Sequence, residues 1–152
     1  MDPLDLKILA ALQADNRRSA AELGEAVGLS VSAASDRVRR LNASGAVRAN
    51  RAVLEPDRLG LDLCVFVFID LEPRADEAAF AAALKPMAEV QEAHHVTGPH
   101  SWLLKIRTRD TAALQTLLAD RIKALPGVLR SETIVVLGTA KETTELALET
   151  LP

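Results

Sequence analysis

Three residues, Gly28-Leu29-Ser30, separate two amphipathic segments that each begin at a serine, and this junction restricts what the first third of the chain can fold into. Ser19-Ala20-Ala21-Glu22 has the form of a capping box, in which a serine hydroxyl and a glutamate three residues on satisfy each other's backbone N–H groups. The helix it opens carries Leu23, Ala26 and Val27 along one side. Ser30 can cap the next helix, which runs to about Ser44 and stops at Gly45, with Ala34, Val38 and Leu41 at i, i+4 and i+7. Two helices of this size joined by so short a glycine-containing turn form a helix-turn-helix. A further helix precedes them. Asp2 is its N-cap, Pro3 opens its first turn, Asp5 sits where the helix dipole favours negative charge, and Leu4, Ile8, Leu9 and Leu12 recur at helical spacing up to Asp15-Asn16-Arg17-Arg18.

After Gly45 the period changes. Residues 46–54 alternate loosely and predict one or two short strands, as a wing would supply. Glu55 to Gly60 is turn-rich and marks a domain boundary. Leu63 to Leu71 reads as a buried strand, 75–86 as an alanine-rich helix with Phe80 and Leu84 on one face, and Val90 to Thr97 as a strand. Gly98-Pro99 turns into a strand from Ser101 to Arg107. Asp110 caps a helix bearing Leu114, Leu117, Leu118 and Ile122, Pro126-Gly127 stops it, and Val128 to Leu137 is the last strand. The approach Val90-Gln91-Glu92-Ala93 is echoed by Val128-Leu129-Arg130-Ser131, a weak internal repeat. The order βαββαβ predicts a split-βαβ, ferredoxin-like sheet with both helices on one face, and an α+β chain overall. The expected organisation is a winged helix-turn-helix over 1–50, a linker strand and turn over 51–62, a sheet domain over 63–140, and a tail over 141–152 that reads equally as helix or extended chain. A sheet covered on one face only leaves an apolar strand surface, either Val65, Val67 and Ile69 or Phe66 and Phe68, so a dimer is expected.

Charge is uneven along these segments. Residues 1–55 carry a net +1 and the remainder −4, and Arg17 to Arg51 holds seven arginines against three acids. A basic segment on an acidic body suits an anionic partner at one end of the molecule. Arg37, Arg39 and Arg40 cannot all lie on the Ala34/Val38/Leu41 face, so at least two point outward, where duplex phosphates explain them at least as well as solvation does. The first turns of the third helix would meet base edges, which makes Ser30, Ser32, Ala33, Ser35 and Asp36 candidate readers. With no tyrosine and only four aromatic residues in the chain, stacking on single-stranded bases has little support.

Catalytic signatures are scarce. The chain has no phosphate loop, no His-Glu-x-x-His and no nucleophile elbow. His94 and His95 are adjacent on a strand and point to opposite faces, and His100 stands apart, so the histidines predict no metal site. The single cysteine, Cys64, excludes an intramolecular disulfide and a cysteine-based zinc site. No apolar run approaches the ~20 residues of a membrane span, and Met-Asp-Pro-Leu-Asp is no secretory signal, so a cytoplasmic protein without cofactor is expected.

The ordered set of motifs resembles the leucine-responsive/asparagine-operon (Lrp/AsnC) family of transcription regulators over nearly the whole chain. Leu4-Asp5, Ile8-Leu9, Leu12, Asp15 and Arg17 resemble the family's first helix and its exit, and Val27-Gly28-Leu29-Ser30 its turn. Arg37-Val38-Arg39-Arg40-Leu41 with Gly45 resembles its recognition helix. His94 to Gly98 followed by Trp102-Leu103-Leu104-Lys105 resembles the hairpin of its regulatory (RAM) domain, and Leu125-Pro126-Gly127-Val128 the approach to its last strand. The resemblance implies an N-terminal domain that binds double-stranded DNA. It implies a ferredoxin-like domain that forms homodimers, often octamers, and takes a small effector, usually an amino acid, near a subunit interface. The residues it points to for the effector are Gly98, Pro99, His100, Ser101 and Trp102. In the family an Asp-x-Asp-aromatic run commonly follows the hairpin glycine; here Pro99, His100, Ser101 and Trp102 stand there and both carboxylates are missing. A carboxylate is the simplest partner for an ammonium group, so a conventional amino-acid pocket is not expected at this hairpin. The competing reading is a dimeric α/β-barrel that binds or transforms a small ligand without touching DNA, which fold analogy allows but which leaves residues 1–45 without a role.

Overall fold

A computed structural model describes residues 1–148, which divide into two compact units. One comprises residues 1–53 together with the chain from Lys141 onward, and the other Leu54–Ala140. Residues 149–152 of the expected tail lie outside the described residues.

The first unit contains α1 (Pro3–Ala14), α2 (Ala20–Val27) and α3 (Val31–Ala43). Each start follows its capping signal. The Asp2 side chain accepts from the Asp5 N–H at 2.8 Å while Asp5 accepts from the Asp2 N–H at 3.1 Å, a box in which Asp5 takes the place of glutamate. Ser19 and Glu22 pair in the same way, with 2.7 Å from the Ser19 N–H to the carboxylate. Gly28 ends α2 at φ +74°, where a side chain would be strained. Gly24 makes the turn compact: its carbonyl accepts from the Leu29 N–H at 2.8 Å, and a Cβ on it would stand 2.7 Å from the Leu29 carbonyl oxygen. Ile8, Leu23, Ala34 and Leu41 form the buried centre. Val27 is only half-buried and Ala26 is exposed, so the inward side of α2 is narrower than its pattern suggests.

No strand forms over 46–54, which corrects the expectation of a wing. The stretch has no apolar side to bury and no strand beside it to satisfy its backbone; Val53 is 95% exposed. The tail from Lys141 to Ala147 is neither helix nor strand. It is held by Gln13 of α1, whose side-chain amide donates to the Leu146 carbonyl at 3.1 Å and accepts from the Leu146 N–H at 2.8 Å.

The second unit opens on a single 3₁₀ turn, Pro56–Leu59, followed by β1 (Leu63–Leu71), α4 (Glu77–Leu84), β2 (Val90–His95), β3 (Trp102–Thr108), α5 (Thr111–Thr116) and β4 (Val128–Val135). The antiparallel order β2-β3-β1-β4 is the expected ferredoxin-like α+β arrangement. Side chains alternate across it. Val65, Val67, Ile69 and Leu71 of β1, with Trp102, Leu104 and Ile106 of β3, pack with Phe80, Leu84, Leu114, Leu117 and Ile122 into one core. Phe66 and Phe68 therefore occupy the other face. Register sets Phe66 between Lys105 and Ile134, and Phe68 between Leu103 and Glu132.

The helix that follows β3 is not uniform. After Thr116 it widens into a π segment, Leu117–Ile122, with the Lys123 N–H bonded to the Leu118 carbonyl at 2.8 Å. Residues five apart diverge by about 140° in an α-helix. The wider turn brings Leu117 and Ile122 onto one side, and both are buried.

Candidate nucleic-acid interface and ligand loop

The outer face of α3 follows from its inner one. Ala34 and Leu41 are buried and Val38 is half-buried, which leaves Ser32, Ser35, Asp36, Arg39 and Arg40 exposed, with Ala33 half-buried at the edge. Ser30 is the N-cap: its hydroxyl accepts from the Ala33 N–H at 3.3 Å and lies 3.2 Å from the Ser32 hydroxyl. Arg39 pairs with Asp36 at 2.8 Å, both solvent-exposed, a contact that competes weakly with a phosphate. Arg40 has no ion pair or side-chain hydrogen bond among the described residues, so its charge is open to solvent.

Arg37 differs from both. Its guanidinium reaches back to α1, 2.6 Å from Asp2 and 2.7 Å from Asp5, with only 20% of its side chain exposed. The Arg37 hydrogen bond is the largest influence holding the Asp2 carboxyl below the usual range. For Asp5 the Asp2 N–H contributes most and Arg37 next. Arg37 itself is raised, chiefly by its hydrogen bond to Asp2 and then by the one to Asp5.

Beside this face runs a groove of about 400 Å³ within the first unit. Leu12, Leu23 and Val38 form its apolar part, and Asn16, Arg18, Ser35, Arg39, Asn42 and Asn50 its polar part. Of these only Ser35 and Arg39 were candidates by sequence. Asn16, Asn42 and Asn50 belong to no apolar period, and that absence of a packing reason was the one available signal.

The hairpin between β2 and β3 is longer than a two-residue turn. The Val96 N–H donates to the Ser101 carbonyl at 3.1 Å, so Thr97-Gly98-Pro99-His100 make the loop, with Gly98 at φ +115°. The adjacent histidines part as expected. His94 lies 3.2 Å from Glu92, whereas His95 lies 3.3 Å from Glu77 of α4.

The five candidate effector residues do not share one surface. Trp102 points to the helix side, 8% exposed, its ring centroid 5.5 Å from that of Phe80 and 5.3 Å from that of His95, and its Nε1 has no hydrogen-bond partner among the described residues. Ser101 is bound to β1: its N–H donates to the Ile69 carbonyl at 3.1 Å and its hydroxyl accepts from the Leu71 N–H at 3.3 Å. His100 lies on the opposite face, stacked on Phe68 at 4.5 Å, with Nδ1 2.9 Å from Asp70 and Nε2 4.0 Å from Glu132. The other oxygen of Asp70 accepts from Arg130 at 2.9 Å. The His100 hydrogen bond, followed among favourable contacts by that of Arg130, holds the Asp70 carboxyl below the usual range against the opposing effect of burial. Carboxylates missing from the hairpin thus approach it from β1 and β4. Asp70 had a visible sign, as the only charged residue in the run Leu63 to Leu71; Glu132 and Arg130 had none.

Residues 1–42 match the model of the AsnC-type helix-turn-helix domain, and residues 64–146 that of the Lrp/AsnC ligand binding domain. A leucine-responsive regulatory protein of Salmonella typhimurium is 39% identical over 152 residues, covering 99% of this chain and 93% of the relative. A proline dehydrogenase transcriptional activator of Rhizobium radiobacter is 38% identical over 145 residues, covering 94% and 93%. Among solved structures, a transcriptional regulator of Neisseria meningitidis in complex with L-methionine superposes with a TM-score of 0.91 at 32% identity, over 98% of this chain and 97% of that one. AsnC of E. coli superposes with a TM-score of 0.88 at 32% identity, over 95% and 97%.

Proposed function

Because the chain belongs to the Lrp/AsnC family of DNA-binding transcription regulators, we propose that it docks the outer face of α3 in the major groove of duplex DNA. It is a regulator and not an enzyme. In this reading Ser30, Ser32, Ala33, Ser35 and Asp36 stand toward the base edges, and Arg39 and Arg40 toward the phosphates. Arg37 serves the same docking indirectly, by holding α3 against α1. The observation that carries the reading is Arg40, an exposed guanidinium on the face that packing leaves free. Selection of duplexes from a randomised pool, followed by affinity measurement over a range of salt, tests it. A binding constant that falls steeply with salt is expected, and affinity indifferent to salt overturns the docking.

The second unit is proposed to act as a homodimer through the sheet face that carries Phe66 and Phe68, and further assembly to an octamer belongs to the same proposal. Support comes from an apolar centre with no cover inside the unit. Two heads would then read a roughly palindromic site. The effector is proposed to be an amino acid or a related metabolite, bound where the loop from Gly98 to Ser101 meets Asp70, Arg130 and Glu132. That set offers carboxylates to an ammonium group and a guanidinium to a carboxylate. The L-methionine held by the Neisseria regulator supports the ligand class. Among the described residues no helix is long and apolar enough to cross a membrane, and a cytoplasmic location is proposed with the rest.

A further inference from the structure

The groove beside α3 adjoins the face that packing leaves free. We infer that it seats the sugar-phosphate strand of the bound duplex, with Arg18 as the phosphate contact and Asn16, Asn42 and Asn50 as hydrogen-bond donors along it. The inference rests on the docking of α3 proposed above and names what lies next to it.

Four observations carry it. First, the groove is continuous with the reading face, since Ser35 and Arg39 belong to both. Second, its polar part holds two guanidinium groups and three amides, and among the described residues no carboxylate lines it. Third, Arg18 and the side chains of Asn16, Asn42 and Asn50 make no ion pair or side-chain hydrogen bond among the described residues. The pairs that Arg17 and Arg39 make with Asp15 and Asp36 show that partners are available nearby. Fourth, the donors come from three separate stretches of chain: the exit of α1, the last turn of α3 and the segment beyond it. They converge without binding one another, so their placement serves no internal network.

Geometry then selects the ligand. A helix about 10–12 Å across fills a major groove about 12 Å wide, so a phosphate strand runs along each of its flanks. Ser35, Arg39 and Asn42 lie on the flank of α3 that faces the groove, and Arg40 on the other. One strand is therefore assigned to Arg40 and the opposite strand to Arg18. Arginine and amide side chains are the usual donors to phosphate oxygens, and such contacts set register without reading sequence.

The test uses the full chain and two duplexes: one selected from a randomised pool, and one of mixed sequence. Arg18→Ala should weaken both to a similar extent, by roughly 5- to 10-fold near 0.1 M salt, and flatten the salt slope by about 0.9. Arg18→Lys should keep the slope. Asn42→Asp, which puts a carboxylate into the groove, should weaken binding at least as much. Lys7→Ala is the control, because it removes one positive charge from an exposed part of α1. None of these side chains packs in the core, and unchanged thermal unfolding confirms that each variant is folded. Wild-type binding with normal salt dependence, matched by Arg18→Ala and Asn42→Asp to within the Lys7→Ala control, overturns the inference and leaves the docking of α3 standing. Absence of duplex binding by the wild-type chain overturns both.

Discussion

The guanidinium of Arg37 lies 2.7 Å from the carboxylate of Asp5, so α3 is fastened to the first turn of a helix thirty-two residues earlier in the chain. Asp2 takes part from the same capping box. The one arginine that the α3 pattern leaves at the margin of the inner face is thus engaged in placing the helix.

Arg37→Ala should lower the thermal stability of the helical unit at neutral pH. Both carboxyls have folded pKa values depressed below their unfolded values, so the stability they contribute is present above about pH 4 and is lost as pH falls through the folded values. The gap between wild type and variant, followed by circular dichroism melts, should be widest near neutrality and close below about pH 4. A gap that persists unchanged at low pH would assign the effect to packing.

Arg40→Ala should leave the melting temperature unchanged and flatten the dependence of log affinity on log salt by about one unit, with the loss spread over all sequences. Loss confined to one base position would make Arg40 a reader of base edges. Affinity unchanged across the salt range would remove it from the interface.

Gly24→Ala should cost about 1–3 kcal/mol of stability, because its Cβ meets the Leu29 carbonyl, a backbone atom that cannot turn aside. The same change should weaken DNA binding beyond the unfolded fraction, since the turn that aims α3 must open. Urea unfolding and affinity measured on the same sample separate the two effects.

Phe68→Glu should dissociate the proposed dimer, raising its dissociation constant by about 30-fold or more, the factor that ~2 kcal/mol carries for a central apolar contact. Sedimentation of the full chain at micromolar concentration reads the outcome. An unchanged mass would show that this sheet face is not the interface.

Calorimetric titration against the twenty amino acids should give a measurable response with at least one of them, because Asp70 and Glu132 offer carboxylates to its ammonium group and Arg130 a guanidinium to its carboxylate. His100→Ala should abolish that response while the fold remains. Trp102→Ala is a poorer probe, because removing a side chain packed on Phe80 costs about 3–5 kcal/mol. Tight leucine binding that survived both changes would put the effector elsewhere in the chain.

Much of the architecture was legible because local chemistry and tertiary packing agree. Asp2, Ser19 and Ser30 mark three helix starts that the structure reproduces, and Asp110 marks a fourth. The wing over 46–54 failed for a reason no window of sequence contains: a strand exists only where another strand receives its hydrogen bonds. The choice between Val65/Val67/Ile69 and Phe66/Phe68 could not be made from alternation either, since both sets are apolar, and only the helices show which is covered. Site residues divided the same way. Exposure of Arg39 and Arg40 followed from helical period, whereas the meeting of Asp70, His100, Arg130 and Glu132 depends on strand order, which places β1 between β3 and β4. The sequence leaves Asn16, Asn42 and Asn50 without a packing reason, but their convergence with Arg18 was not legible because the members come from segments far apart in the chain.

Trp102 is the single tryptophan, tyrosine is absent, and the DNA-binding unit has no aromatic residue. Excited at the red edge of its absorption, the protein therefore emits from one point, beside the proposed ligand loop, with an imidazole stacked on the emitter and no partner for its indole N–H among the described residues. The regulatory unit carries its own optical label and the DNA-binding unit is dark. A change in emission when duplex DNA is added, after correction for the light the DNA absorbs, then reports the surroundings of Trp102 in the second unit, and a fluorimeter can follow it without any modification of the chain.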